Sequence, residues 1–296
     1  NNICVINGIK IGEDFNKKMM FKGQLDSEIE SVLFSKFISR NCFPLTITYP
    51  HIEDFIKTIV RFKYSYSLFR INELDEYNID IYNQLQEELQ MPLISKHTVD
   101  IPVAILTYIL KLVSKNKLDI KDTNIGFIGL NSAAIKLTSL LYSIGFSKVL
   151  GIDYNDKIVL DFENRGGLGT TSENILSNTD ILIFFDKQYE LIELEYLRPG
   201  QFLIMSYVDK DINKELLQAK GIREYIAFNR YILSSITPGL IELLLSNKLL
   251  SFCDNDLIAI SEYISEFIML DNFQLPDVFS NIHDVIKEIT LLQEDA

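Results

Sequence analysis

The hydrophobic pattern between residues 119 and 228 alternates short apolar runs with amphipathic segments. The predicted strands are 124–129, 148–153, 181–185, 201–206 and 224–228, and the predicted helices are 132–143, 171–177 and 213–219. Strands that alternate with helices in this way predict right-handed βαβ crossovers and a parallel sheet. The pattern therefore predicts the α/β fold class.

The first 118 residues predict a smaller mixed region, with strands at 3–7, 43–48 and 91–94 and helices at 27–40, 50–64 and 79–89. A longer helix is predicted from Asp100, as its N-cap, to about Asn116. Beyond Pro238 three more helices are predicted, at about 238–249, 255–269 and 279–293. We therefore expect an N-terminal α/β region at 1–118 and a Rossmann-like domain with a helical tail at 119–296.

Composition and charge exclude several classes of protein. The net charge is −13, from 28 basic and 41 acidic residues, so a nucleic acid partner is not expected. No apolar run approaches 18 residues without a charge, and no signal segment opens the chain, so no membrane partner is expected. The three cysteines form no CxxC pair, which indicates free thiols and a cytoplasmic location.

The segment IGFIGLNSAA at 125–134 lies between a predicted strand and a predicted helix, where a dinucleotide-binding fingerprint belongs. Gly129 fits the tight turn, and Asn131 stands where a second glycine would let the backbone approach a pyrophosphate. Asp153 ends the next strand, where an acidic residue binds ribose hydroxyls. A Rossmann-shaped domain that binds no nucleotide is the alternative, because the Asn131 side chain would intrude on the phosphate. The candidate cofactor-binding residues are Gly129, Asn131, Ser132, Ala134 and Asp153.

The order and spacing of motifs over about 28–266 resemble the malic enzymes. The family's MEGKAxLFKxFAGxDAFPI is similar to the stretch from Ser27 (SEIESVLFSKF) to Leu45 (NCFPL). The family's HDDxxGTA is similar to SKHTVDIP at 95–102, and PNQxNNxLAFPGI is similar to FNRYILSSITPGL at 228–240. The resemblance implies a nucleotide-binding domain, an ancestral oxidative decarboxylation of malate, and assembly as a homodimer.

The resemblance places the catalytic positions of the family on changed residues. The lysine base of MEGKA falls on Glu30, a carboxylate that could accept a proton but cannot take the role of lysine unchanged. The metal-binding aspartate of HDD falls on Lys96 or His97, and an ammonium group there would repel a divalent ion. We name Glu30 and His97 as the candidate catalytic residues. The family's catalytic tyrosine segment has no counterpart that we can identify.

The metal and substrate positions are also altered. The family's Glu-Asp metal pair aligns near Asn72, so Glu73 and Asp75 are the candidate metal ligands. Hard cations need several oxygen ligands, and this cluster is short of one, so a divalent metal is doubtful. Of the family's asparagines near the Pro-Gly pair, one position falls on Leu233, while Asn229 remains as a candidate substrate residue.

Two functions fit these observations. The first is a malic-enzyme-like protein that has lost the family reaction and acts by binding a small molecule, by assembly or by regulation. The alternative is an active NAD(P)-dependent oxidoreductase that acts on a different small hydroxy or amino acid. In either case Asp153 favours NAD over NADP, because a carboxylate repels a 2′-phosphate.

Overall fold

The computed structural model describes residues 2–12, 15–74, 79–185, 196–206, 214–228 and 236–267. Its strands are β1 (Asn2–Lys10), β2 (Asn41–Tyr49), β3 (Leu68–Glu73), β4 (Leu93–Ser95), β5 (Ile125–Ile128), β6 (Val149–Ile152), β7 (Leu168–Gly169), β8 (Ile181–Phe184), β9 (Phe202–Met205) and β10 (Glu224–Ala227). Its α-helices are α1 (Lys17–Ile38), α2 (Ile52–Phe62), α3 (Asp80–Leu89), α4 (Ile101–Asn116), α5 (Ser132–Ser143), α6 (Asp156–Asn164), α7 (Ser172–Asn178), α8 (Lys214–Ala219), α9 (Thr237–Ser246) and α10 (Asp254–Phe267). A 3₁₀ turn (Lys63–Ser65) follows α2, and a π-helical turn (Lys96–Asp100) precedes α4.

The chain forms two compact units. The first contains the described residues up to Asp100 together with 236–253, and the second contains 101–228 and 254–267. This division of the chain differs in two respects from the boundary expected between residues 118 and 119. Helix α4 belongs to the second unit, and α9 returns to the first.

The first unit is built on a parallel four-stranded sheet in the order β2-β1-β3-β4. One face packs apolar side chains of the strands against α2 and α3, including Phe55, Phe69 and Leu85. Helix α1 packs on the other face, where the Asn7 side chain donates a hydrogen bond to the backbone oxygen of Gly23. Side chains alternate along a strand, so this second face also receives those residues of β3 that lie between its apolar ones.

A β-bulge interrupts the pairing of β1 with β3. Ile6 pairs with Ile71, but the next residue, Asn7, pairs with Glu73, which leaves Asn72 as the extra residue. Bulges bend a strand locally and re-aim its side chains, and they are common beside functional sites. The irregularity lies at the carboxyl end of β3, in the segment where the sequence placed candidate metal ligands.

The second unit is built on a parallel six-stranded sheet in the order β10-β9-β8-β5-β6-β7. The chain leaves β5 through β6 and β7 on one side, and then returns to β8 on the other side of β5. Its core joins Ile128, Ile152, Leu182 and Met205 with apolar side chains of α7 and α8. The parallel sheets confirm the predicted α/β fold class.

In the described part of the chain, one helical stretch, Lys96–Asn116, is long and apolar enough to cross a membrane. The stretch has 21 residues, and 78% of its most apolar window is buried within the structure. A core helix of a soluble protein passes the same test, so this feature is weak evidence for a membrane span.

Candidate functional site

The glycine loop of the second unit follows β5 and keeps the tight turn predicted from the sequence. Gly129 has φ +83°, a conformation that residues with a Cβ atom rarely adopt. Its N–H donates to the backbone oxygen of Ile152, at 3.0 Å, which ties the loop to the end of β6. The backbone N–H of Leu130 donates to Asp153 Oδ2, at 2.8 Å.

Asn131 is the N-cap of α5 and is 3% exposed. Its Oδ1 accepts hydrogen bonds from the backbone N–H groups of Ala133, at 3.0 Å, and Ala134, at 3.1 Å. These N–H groups lie in the first turn of the helix, where Rossmann domains place the pyrophosphate of a dinucleotide. In this chain the Asn131 side chain already satisfies both donors.

Asp153 follows β6 and holds two segments of backbone together. Its Oδ2 accepts from Leu130, and its Oδ1 accepts from the backbone N–H of Asn155, at 2.9 Å. A carboxylate oxygen can accept more than one hydrogen bond, so these contacts leave chemical capacity for a ribose hydroxyl. The structure thus brings Gly129, Asn131, Ser132, Ala134 and Asp153 into one loop region, and their role in binding a cofactor stays a prediction.

A buried ion cluster occupies the first unit. The Arg70 side chain, on β3, is fully buried; its Nη2 donates to Asp100 Oδ2, at 2.7 Å, and its Nη1 donates to the backbone oxygen of Ile71, at 2.6 Å. Glu30 Oε2, on α1, lies 3.6 Å from Arg70 Nη2. Thr237, at the start of α9, donates its hydroxyl to Asp100 Oδ2, at 2.6 Å. We call Glu30, Arg70, Asp100 and Thr237 the arginine cluster.

The electrostatics of the arginine cluster are dominated by burial. Burial raises the pKa of Asp100 from its usual 3.8 to about 6. The Arg70 charge and the Thr237 hydrogen bond lower this pKa, the Glu30 charge raises it, and the Lys96 charge lowers it. The desolvation cost outweighs the attraction of the guanidinium, although the two groups are in direct contact.

The sequence predicted a different role for Asp100, as the N-cap of the following helix, and that prediction was wrong. The helical turns begin earlier, at Lys96, so Asp100 does not stand at a free helix end. The fully buried carboxylate is instead paired with the Arg70 guanidinium and the Thr237 hydroxyl.

His97, the second candidate catalytic residue, is also buried, at 4% exposure. Its backbone N–H donates to Ser95 Oγ, at 3.2 Å, as does the N–H of Thr98, at 3.3 Å. Both His97 and Glu30 therefore lie in the first unit, and the structure joins Glu30 to Arg70 and Asp100.

The remaining candidate residues are not tested by the structure. Asp75 and Asn229 lie outside the described residues, and the Glu73 side chain is not described. Among the residues that are described, no three His, Cys, Asp or Glu side chains come together in a way that could hold a metal ion. The roles of Glu73, Asp75 and Asn229 stay predictions.

Sequence reasoning missed Arg70 and Thr237 as members of a site. One signal for Arg70 was present, because a single cation stands in the apolar run LFRI at 68–71. A buried arginine requires an acidic partner, but the sequence does not say which of 41 acidic residues it is.

The six-stranded parallel sheet, with a glycine turn after its first strand and a carboxylate after its second, defines a Rossmann-type α/β protein. No family model matches the chain. The chain is 23% identical over 242 residues to NAD-dependent malic enzyme 1 of Bacillus subtilis (strain 168). The aligned region covers 80% of this chain and 55% of that protein. The chain thus spans about half the length of this curated relative.

Solved structures agree with the sequence match. The crystal structure of a putative malic enzyme (malate oxidoreductase) is similar to this chain, with a TM-score of 0.82 at 14% identity, over 98% of this chain and 84% of that one. The NAD-dependent malic enzyme of Thermotoga maritima has a TM-score of 0.78 at 15% identity, with the same coverage. The chain is malic-enzyme-like, which confirms the resemblance found in its motifs.

Proposed function

We propose that this chain is a malic-enzyme-like protein that does not catalyse the oxidative decarboxylation of malate and acts through binding, assembly or regulation. The arginine cluster carries the proposal. At the position that the resemblance assigns to the lysine base, Glu30 is 8% exposed and faces the guanidinium of Arg70, at 3.6 Å. Glu30 thus acts as a counterion for a buried cation.

A general base must reach the proton that it removes, to within a hydrogen bond or one water molecule. A buried charge, in contrast, is tolerated when other charges and hydrogen bonds of the protein surround it. The distances among Arg70, Asp100 and Thr237 fit the second description. This pairing supports a structural role for the cluster, in which Arg70 Nε and Asp100 Oδ1 have no hydrogen-bond partner among the described residues.

The proposed ligand of the second unit is NAD. The Bacillus subtilis and Thermotoga maritima relatives are both named as NAD-dependent enzymes. Asp153 stands directly after β6, where its carboxylate would bind a ribose hydroxyl and repel the 2′-phosphate of NADP. We therefore propose NAD over NADP, and no divalent metal.

We also propose that the chain forms a homodimer. Helix α1 exposes large apolar side chains, with Phe21 70% exposed and Val32 69% exposed, and a second copy of the chain would cover such a surface. Light scattering at micromolar concentration is expected to give twice the mass of the chain. A monomer would contradict the proposal.

The alternative is an active oxidoreductase on another small hydroxy or amino acid. The tight turn at Gly129 and the carboxylate of Asp153 favour it, because both stand where a dinucleotide-binding loop needs them. In that case Glu30 is the residue that would accept the proton.

One assay separates the two functions. Reduction of NAD and NADP is followed with malate, with and without Mn²⁺, and then with lactate, tartrate and amino acids. We expect no reduction above background. Any active substrate is tested again with Glu30→Gln, and with Glu28→Gln as a matched control at an exposed position of the same helix. A loss of about 10²–10⁴ in rate for Glu30→Gln alone would establish the alternative.

A further inference from the structure

We propose that the side-chain oxygen of Asn131 takes the place of a dinucleotide's pyrophosphate, so that Asn131 limits NAD binding and its removal admits the cofactor. This inference rests on the proposed function, because it names the residue that sets the affinity of the second unit for NAD.

The topology places the loop where open α/β sheets bind ligands. The chain runs from β5 to β6 in one direction and from β8 to β9 in the other, so β5 and β8 meet at the switch point of the strand order. Ligands of such sheets bind outside the carboxyl ends of the strands at this point. Gly129 to Asn131 directly follow the carboxyl end of β5.

The hydrogen bonds of the loop leave little for a phosphate. A pyrophosphate binds to N–H groups in the first turn of the helix, which are unpaired in an uncapped helix. Here the N–H groups of Ala133 and Ala134 donate to Asn131 Oδ1, and that of Leu130 donates to Asp153. A phosphate oxygen must displace the amide oxygen of Asn131 before it can accept from the same two donors.

A second observation comes from Ser132, the first residue of α5. It is fully buried, and its hydroxyl has no hydrogen-bond partner among the described residues. Buried polar atoms are nearly always hydrogen-bonded, so an orphan hydroxyl needs an explanation. An oxygen-rich ligand at the loop supplies such a partner, and serine is a common phosphate contact.

Asn155 provides a matched control within the same unit. It is the N-cap of α6, has an extended backbone like Asn131, and its Oδ1 accepts from the N–H of Lys157, at 3.1 Å. Asn155 is exposed, and α6 follows β6, away from the switch point. Its removal therefore takes away a cap without freeing the amides of α5.

The experiment is titration calorimetry with NAD and NADP on the full chain and on the variants Asn131→Gly, Asn131→Asp and Asn155→Gly. Asn131→Gly is expected to bind NAD about fivefold more tightly than the natural chain, since a capping side chain contributes about 1 kcal/mol and a ligand no longer has to displace it. Asn131→Asp keeps the acceptor and adds a negative charge, so it is expected to bind no NAD. Asn155→Gly is expected to leave the affinity for NAD unchanged.

Two results would overturn the inference. The first is that the natural chain binds NAD as tightly as the Asn131→Gly variant does. The second is that the Asn131→Asp variant binds NAD as tightly as the Asn131→Gly variant does. If Asn131→Gly unfolds, Asn131→Ala removes the same oxygen with less backbone freedom and carries the same expectation. Malate turnover is measured separately, so a variant that gains NAD but stays inactive leaves the proposed function standing.

Discussion

The two units satisfy the polar groups near the carboxyl ends of their strands in different ways. In the first unit Glu30, Arg70, Asp100 and Thr237 come from segments far apart in the chain and meet in a buried ion cluster. In the second unit Asn131 bonds to its own helix, two and three residues away. Removing one member of a buried ion cluster leaves its partners as uncompensated buried charges, whereas removing a local cap affects the end of one helix. The comparison therefore predicts that mutations in the two units lower the free energy of unfolding by different amounts.

The largest effect is expected in the first unit. Arg70→Met leaves Asp100 and Glu30 as buried carboxylates without the guanidinium between them, and breaking a buried pair in this way typically costs about 3–5 kcal/mol. Urea unfolding followed by circular dichroism measures the loss. Arg165→Met is the control, because Arg165 pairs with Asp161 on an exposed surface and its loss should cost at most about 0.5 kcal/mol. Similar costs for the two variants would contradict the comparison.

The second effect is a pH dependence between about pH 4 and 6, which the first unit should show because it contains Asp100. The folded pKa of Asp100, about 6, lies above its usual 3.8, so the folded state binds this proton more tightly than the unfolded state. The resulting stability is present below about pH 4 and is lost as the pH rises to 6, by about 3 kcal/mol in all.

The Asp100→Asn variant cannot titrate at this position, so it tests whether the stability of the natural chain falls as the pH rises. The difference in unfolding free energy between the natural chain and Asp100→Asn should shift in favour of the variant as the pH rises from 4 to 6, and stay constant above that. A difference that does not change with pH would show that Asp100 titrates normally in the folded state.

The smallest effect concerns the cap in the second unit. Asn131→Ala is expected to cost about 1 kcal/mol, the usual contribution of an N-cap side chain. Asn155→Ala, at the exposed cap of α6, should cost about the same or less. Thermal unfolding followed by circular dichroism measures both. A loss of several kcal/mol for Asn131→Ala would mean that the loop supports more than its own helix.

The helices and strands of the second unit were largely predictable. Helix α5 has its predicted bounds, Ser132–Ser143, because Asn131 is a strong cap and the apolar positions repeat with helical period. Helix α6 was missed, although Asn155 and Asp156 are start signals, because its nine residues are too few to show a clear helical period in the apolar positions. Strand β3 was missed because Arg70 and Asn72 interrupt its apolar run.

The sequence by itself determined the α/β fold class, the resemblance to malic enzymes and the glycine loop with Asn131 and Asp153. These features depend on local periodicity, caps and motif spacing, which are written within short segments of the chain. Only the tertiary structure decided that Arg70 pairs with Asp100, that Glu30 faces the same guanidinium, and that Asp100 is not a helix cap. The partners of a buried charge are chosen by packing over long sequence separations, and no local pattern records that choice.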